Sequence, residues 1–564
     1  MITVTTPIAE KAREIFEKRI KDWLDRNQEA MPFSDVLFEY ADIEGYRVDV
    51  DGTKATVWAK SKIEFIAGAG ELIRQIVKAI CKGEKLPERF TVTNRPKYPH
   101  RNHYMPGHFG NAYEVCWPSE MEYLLEDLAL FGANGYADWF DPNDMPDPYN
   151  PHVYCSSSMS LWRKKKEFLR YAKELGMETK LYVAHNVAFT DQLLPGLVGV
   201  RSHAHKVQGQ VLCPSNPEAR AVCLKNVENL MKDFIASHVH IDRIVCGPYD
   251  DGGCACDKCQ PYYNTFLNMV YDIFQIVIKY FPDIKVDICG WWTSDDDIHL
   301  LKNFAEKISG HFGEFMYSVT YGVFEVPVDI KKRIDPLPLN TFVHIGFSHV
   351  NKDTYLKTGI HCAQERIRSV IRSFEKAGCT GFNTYNESFG DHYNEYIISR
   401  LARDPDADID ELTLEYIYDM FSLKGENSKT LLKIMNEMQF YDLEKAVQWE
   451  KDLTDLQEHV SVNEEQSTWL FEQIMLKAQL MALDYKIGDY TLWKEKSDLD
   501  AVLPLIEKRE KLFGKMYRYV YGLGLMRHIF IPERMEAPWY EAYRKFYPVP
   551  QGNIIPGMQV NKNA

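Results

Sequence analysis

Arg243-Ile244-Val245-Cys246-Gly247-Pro248-Tyr249-Asp250-Asp251-Gly252-Gly253 is the stretch whose reading decides the fold. Its first six residues read as a buried strand: a short, mostly apolar run with β-branched side chains. The run then breaks abruptly into two aspartates and two glycines, residues that let the chain turn sharply and bring backbone close to a ligand. On one side lies the amphipathic helix pattern of Ala219–Ile235 and on the other that of Tyr262–Tyr280. A buried strand between two helices is the signature of a parallel βαβ unit.

The same alternation extends outward in both directions. Upstream, strands are predicted at Arg101–Tyr104, Gly135–Phe140 and Thr179–Ala184; downstream, at Lys285–Gly290, Met316–Thr320, Phe342–Phe347 and Gly381–Tyr385. Helices at Leu161–Leu175 and Ala363–Ala377 sit among them, whereas Val326–Leu339 is too short for a full helix. Eight strands within residues 95–405 match the usual length of a (β/α)₈ TIM barrel, about 250 residues, and favour it over an open sheet. The expected class is α/β, with a small α+β domain over residues 1–94 before the barrel and a helical domain with a tail over 406–564. In the first part, Ala12, Ile15, Phe16, Ile20, Trp23 and Leu24 share one helical face. Tyr46–Val50 and Ala55–Ala59 alternate around the hairpin signal Asp51-Gly52, and a helix follows over Glu64–Cys81. In the last part the strands cease, and helices are predicted at Ser428–Trp449, with Asn427 as N-cap, and at Gln466–Lys486.

Composition narrows the function. The formal charge of −15 argues against nucleic acid and anionic membrane as partners, both of which select basic surfaces. No apolar run approaches the roughly 20 residues of a membrane span. The first residues read as an amphipathic helix, not as a signal peptide, and the 12 cysteines form no compact disulfide framework. The expected setting is therefore the cytoplasm, with reduced thiols.

In barrels of this kind, chemistry sits at the C-terminal ends of the strands. That rule selects Arg101 and His103 in the first barrel strand with His108 after it, and Asp138, Trp139 and Asp141 around the end of the second. It continues with His185-Asn186, Tyr249-Asp250-Asp251, Trp291-Trp292, Tyr321 and His349, and finishes with Tyr385-Asn386-Glu387 and Asp391. Aromatic rings, amides and carboxylates converging on one rim suit sugars, which need stacking planes and directional hydrogen bonds. The histidines have an equal claim to being satisfied structural groups. Glycoside hydrolysis needs a proton donor at the leaving oxygen and a second group for the oxocarbenium-like centre. Adjacent carboxyl groups can have their pKa values driven apart to fill both roles. Side chains alternate along a strand, so Asp250 and Asp251 share a pocket only if the strand has already ended; otherwise Glu387 is the partner of Asp251.

Cys254-Ala255-Cys256-Asp257-Lys258-Cys259 follows at once. Three thiols, two of them in C-x-x-C spacing, fall one short of a closed structural zinc site, and no second C-x-x-C exists. Free thiols shaping the loop are expected and no cofactor is required, with a structural zinc or a local disulfide as alternatives.

Taken together these residues resemble the β-hexosaminidase-like and α-glucuronidase-like glycoside hydrolases, families 20, 67 and 84, and uncharacterised bacterial relatives. The resemblance rests on Glu44–Gln75, Arg95–Arg101, Leu212–Glu218, Asp251–Cys259, Tyr385–Asn394 and Arg403–Asp406. It spans residues 1 to about 420, and the helical C-terminal part resembles nothing specific. It implies an exo-acting hydrolase of oligosaccharides or other glycosides. Asp250 would orient a 2-acetamido group as internal nucleophile, Asp251 would be the acid, and Arg101 would bind sugar hydroxyls. The pair is Asp-Asp, as in family 84, where family 20 has Asp-Glu. A uronide, with Asp251 and Glu387 as the pair and Arg101, His103 and His185 as a basic subsite, is the first alternative. A carbohydrate-binding barrel without catalysis is the second. The sequence leaves homo-oligomer formation open.

Overall fold

The computed structural model describes residues 1–564 except 109–110, 143–144, 151–155, 201–210, 249–252, 292, 321–322, 346–361, 387–388, 441, 464–466, 522–544 and 547–564. The N-terminal part comprises β1 (Ile2–Val4), α1 (Glu10–Asn27), β2 (Asp35–Tyr40), β3 (Tyr46–Asp51), β4 (Lys54–Ala59), α2 (Lys62–Lys82) and β5 (Arg89–Asn94). Its sheet has the order β1-β2-β4-β3-β5. The antiparallel β3–β4 pair turns at Gly52 with φ +60°, where the hairpin was predicted. The buried face of α1 is Ala12, Ile15, Phe16, Ile20, Trp23 and Leu24, the stripe expected from its helical spacing.

Helix α2 is buried nearly all round, because it is held between this sheet and the barrel. A Cβ on Gly70 would sit 2.3 Å from the carbonyl oxygen of Leu130, so a residue without a side chain is what lets the two parts close together.

The barrel is closed and wholly parallel. Its strands are β6 (His100–Tyr104), β7 (Gly135–Trp139), β8 (Glu178–Ala184), β9 (Arg243–Gly247), β10 (Lys285–Cys289), β11 (Phe312–Val319), β12 (Leu339–His344) and β13 (Cys379–Tyr385). All eight predicted strands are present, with ends shifted by four residues at most. Around them run α3 (Ala112–Val115), α4 (Pro118–Phe131), α5 (Ser156–Glu174), α6 (Pro217–Ala236), α7 (Tyr262–Val277), α8 (Ile298–Lys307), α9 (Ile330–Ile334), α10 (Gln364–Ala377) and α11 (His392–Arg403). Only the five-residue α9 occupies the segment too short for a full crossover helix.

Beyond the barrel lie α12 (Ile409–Phe421), α13 (Gly425–Glu437), α14 (Leu443–Leu456), α15 (Ser467–Ile487) and α16 (Lys496–Tyr521). The single helix expected over Ser428–Trp449 is two. Asn427 lies inside α13, and a new helix starts where the Asp442 side chain accepts from the Lys445 N–H at 3.1 Å. A capping aspartate competes for the backbone and sets a fresh N-terminus. Among the described residues no helix is long and apolar enough to cross a membrane.

Candidate active site

Side chains alternate along each strand, and two separate apolar clusters show which ones face inward. Tyr104, Ala137, Trp139, Val245, Cys289, Met316 and Phe342 form one cluster, with Tyr182, Trp291 and Tyr385 packed on it. These residues come from strands all round the barrel, so the cluster fills the lumen. The outward side chains of the same strands belong to the large core beneath the helices.

The lumen has two unlike ends. Toward the strand N-termini it is closed by ions. Arg243 lies 2.6 Å from Glu178, 2.9 Å from Asp287 and 3.8 Å from Glu314. Lys180 lies 3.4 Å from Asp287, with both side chains fully buried. His100 sits 3.5 Å from Glu314, which also accepts from Asn340 at 2.7 Å. Burial by itself would raise the Glu178 pKa; Lys180, His100 and Arg243 overcome it and hold the carboxyl well below the usual range. Glu314 is lowered in the same way against its own burial.

Toward the strand C-termini the lumen is aromatic. Tyr104 and Tyr182 stack at 3.7 Å between ring centroids. Trp291 stacks on His344 at 5.9 Å, and His344 lies 5.0 Å from Tyr385. A polar relay crosses this wall: Tyr385 Oη lies 3.4 Å from His108 Nε2, and His108 Nδ1 lies 3.3 Å from Asp141 Oδ2. The Trp139 ring flanks His108 at 5.4 Å. The buried Tyr182 hydroxyl and Asn186 Oδ1 have no hydrogen-bond partner among the described residues. Buried polar atoms without partners are rare.

The predicted site residues divide accordingly. Trp139, Trp291, Tyr385 and Asn186 gather at the C-terminal end of the lumen. Arg101, His103 and His185 do not. Arg101 is at the opposite end, on the outer face of β6, donating to Gly132 O at 2.6 Å, Tyr98 O at 2.8 Å and Glu64 at 3.0 Å. Burial and the neighbouring Arg403 lower its pKa to about 9. It bolts α2 to the base of the barrel, away from the strand C-termini. His103 is one residue before the inward Tyr104 and therefore points outward, 2.9 Å from Ser399 Oγ of α11. His185 packs on Phe266 of α7 and bonds Tyr262 Oη. Burial drives both rings' pKa values down to about 3, so both are neutral structural groups. Asp138 is likewise outward, 3.1 Å from the buried Lys165; burial raises its pKa against that partner.

Asp391 is buried at the head of α11 beside Glu395. Burial, and then the Asp391 charge, raise the Glu395 pKa well above the carboxylate range. Glu395 takes a hydrogen bond from Asn386. Sequence reasoning passed over Glu395 and His344; the buried face of α11 and the two-residue spacing Phe342–His344 are the signals that point to them. Tyr249, Asp250, Asp251, Trp292, Tyr321, His349 and Glu387 lie outside the described residues. The last residue of β9 is Gly247, three positions before Asp250, and the last of β13 is Tyr385, two before Glu387. Just beyond Asp250-Asp251 in sequence, Gly253 has φ +99°, and a Cβ there would fall 1.7 Å from the Tyr262 ring.

Cys254, Cys256 and Cys259 are joined by a fourth thiol that spacing did not reveal, Cys213. All four Sγ atoms lie within 4.8 Å of one another.

The architecture is that of a (β/α)₈ barrel. No protein-family model matches the chain, and neither does any curated protein. Among solved structures it is similar to a family 89 glycoside hydrolase from Clostridium perfringens in complex with 2-acetamido-1,2-dideoxynojirmycin. That match has 11% identity and a TM-score of 0.61, covering 98% of this chain and 77% of the other. It is also similar to a family 138 enzyme targeting pectin rhamnogalacturonan II, at 11% identity and TM-score 0.58 over 97% of this chain and 78% of the other. A third is CpGH84B, at 12% identity and TM-score 0.50 over 93% and 96%. At such identities the likeness is one of fold.

Proposed function

We propose that the chain is an exo-acting glycoside hydrolase. The observation that carries this reading is the aromatic lumen end, where Tyr104, Trp139, Tyr182, Trp291 and Tyr385 offer flat faces and the Tyr385–His108–Asp141 relay offers polar edges. Pockets that are largely apolar with a few placed polar groups suit small ligands, and a wall of rings suits pyranose faces. With the base closed by ions and the lumen filled by rings, the rim at the strand C-termini is where a sugar would be met. The structural neighbours, which are glycoside hydrolases, support the same class.

In this reading Asp251 protonates the leaving oxygen. Asp250 orients a 2-acetamido group that attacks the anomeric carbon, giving an N-acetylhexosaminidase with retention. The 2-acetamido sugar analogue bound by the family 89 neighbour favours such a substrate. Should the substrate lack that group, Glu387 takes the place of Asp250. A uronide is less favoured, because Arg101, His103 and His185 face away from the lumen and form no basic subsite there.

Aryl N-acetylhexosaminides of both anomers, glucuronides and unsubstituted glycosides, offered to wild type and Asp251→Asn, test the reading. One class is expected to be cleaved, with turnover reduced about 10²–10⁴-fold by the substitution, the usual worth of a general acid. Cleavage of another class with inert N-acetylhexosaminides removes the role of Asp250. No turnover of any glycoside, with sugar affinity intact in Asp251→Asn, leaves a carbohydrate-binding barrel.

A further inference from the structure

We infer that Cys213, Cys254, Cys256 and Cys259 form a structural zinc site that clamps the loop after β8 to the loop after β9. The inference is independent of the glycosidase reading. A tetrahedral zinc with bonds of about 2.3 Å to sulfur sets its ligands about 3.8 Å apart. Cys213 Sγ is 3.7 Å from both Cys256 Sγ and Cys259 Sγ, and the whole quartet lies within 4.8 Å. These separations are far from the roughly 2.05 Å of a disulfide, and all four residues are free cysteines.

The backbone brings the four thiols to one place. Cys256 opens the 3₁₀ turn Asp257–Cys259, closed by the Cys259 N–H on Cys256 O at 2.9 Å, which brings the C-x-x-C thiols to one side. The Val200 N–H points at Cys254 Sγ at 3.4 Å, the kind of second contact that steadies a ligating thiolate. Cys213 is placed by its N–H on Leu197 O at 2.8 Å, and Ala255 N–H reaches Val200 O at 2.7 Å. Four-thiolate tetrahedral sites select zinc or iron. A closed shell of four sulfurs with no open position marks a structural ion, not a catalytic one. Binding releases the four thiol protons to solvent as four S–Zn bonds form.

The clamp has a consequence for the site. Cys254 follows Asp251 by three residues, so the ion anchors the chain soon after Asp250-Asp251. It ties that chain to a segment more than forty residues upstream.

The test is metal analysis of the full chain purified without chelator. About one zinc per chain is expected, released in step with mercurial titration of the thiols and detected by a chromogenic chelator. Cobalt substitution should give the ligand-field bands of a tetrahedral tetrathiolate. Cys213→Ser should lower the zinc content at least threefold, whereas Cys223→Ser, buried outside the cluster, should leave it unchanged. The wild-type measurements stand even if Cys213→Ser fails to fold. Wild-type protein with no bound zinc and freely titrating thiols overturns the proposal. So does iron in its place, or a disulfide among the four found under non-reducing conditions.

Discussion

The two ends of the barrel lumen are built from opposite materials. At the strand N-termini Arg243, Lys180 and His100 meet Glu178, Asp287 and Glu314, and each charge has at least one partner. At the strand C-termini aromatic faces meet one another, and the Tyr182 hydroxyl and Asn186 Oδ1 have no hydrogen-bond partner among the described residues. The first end pairs its charges with one another and holds the barrel shut. The second leaves those two atoms without partners, at some cost to stability. A single closed sheet thus carries ion pairs at one end and aromatic faces at the other.

Breaking the sealed end should have the largest effect. Asp287→Ala leaves Lys180 and Arg243 buried with fewer anions, and removal of one partner from a buried network costs about 3–5 kcal/mol. A matching fall in the urea midpoint is expected; a loss under about 1 kcal/mol would show that the ions there are not acting as a unit.

Acid separates the ends further. Glu178 and Glu314 have lowered folded pKa values, so their stabilising contribution is fully present above the unfolded carboxylate pKa and is lost only as pH falls below it. His103 and His185 stay neutral in the fold down to about pH 3, whereas the unfolded rings take up protons below about 6.5. The unfolded chain then binds more protons, and stability falls with pH between those values by about 1.4 kcal/mol per unit for each ring. Denaturant midpoints at pH 7, 6 and 5 should show this slope, and His103→Gln should remove about half of it. An unchanged slope in that variant would refute the assignment.

The smallest effect belongs to the open end. Tyr182→Phe removes a buried hydroxyl that has no partner, and is expected to raise stability by up to about 1 kcal/mol while weakening glycoside affinity. A lower melting temperature in Tyr182→Phe would mean that the hydroxyl is already satisfied, and that the open end is not held in reserve.

Much of the frame was legible in the sequence. Apolar runs such as Arg243–Pro248 flanked by amphipathic helices place strands, because burial on both faces demands unbroken hydrophobicity. The stripe of α1 and the Asp51-Gly52 hairpin are read from local periodicity and turn chemistry alone. Residue types at the strand ends led to Trp139, Trp291 and Tyr385 for the same reason: which rim carries the loops follows from parallel topology.

What local sequence does not contain is facing and distance. A shift of one residue turns a strand side chain from lumen to helix layer. His103 and Tyr104 therefore part company although they are neighbours, and Arg101 becomes a strut against Glu64. Spacing showed three thiols and left the fourth unseen. Cys213 joins them only because closing the barrel sets the loop after β8 beside the loop after β9, where long-range geometry supplies a neighbour that no motif could announce.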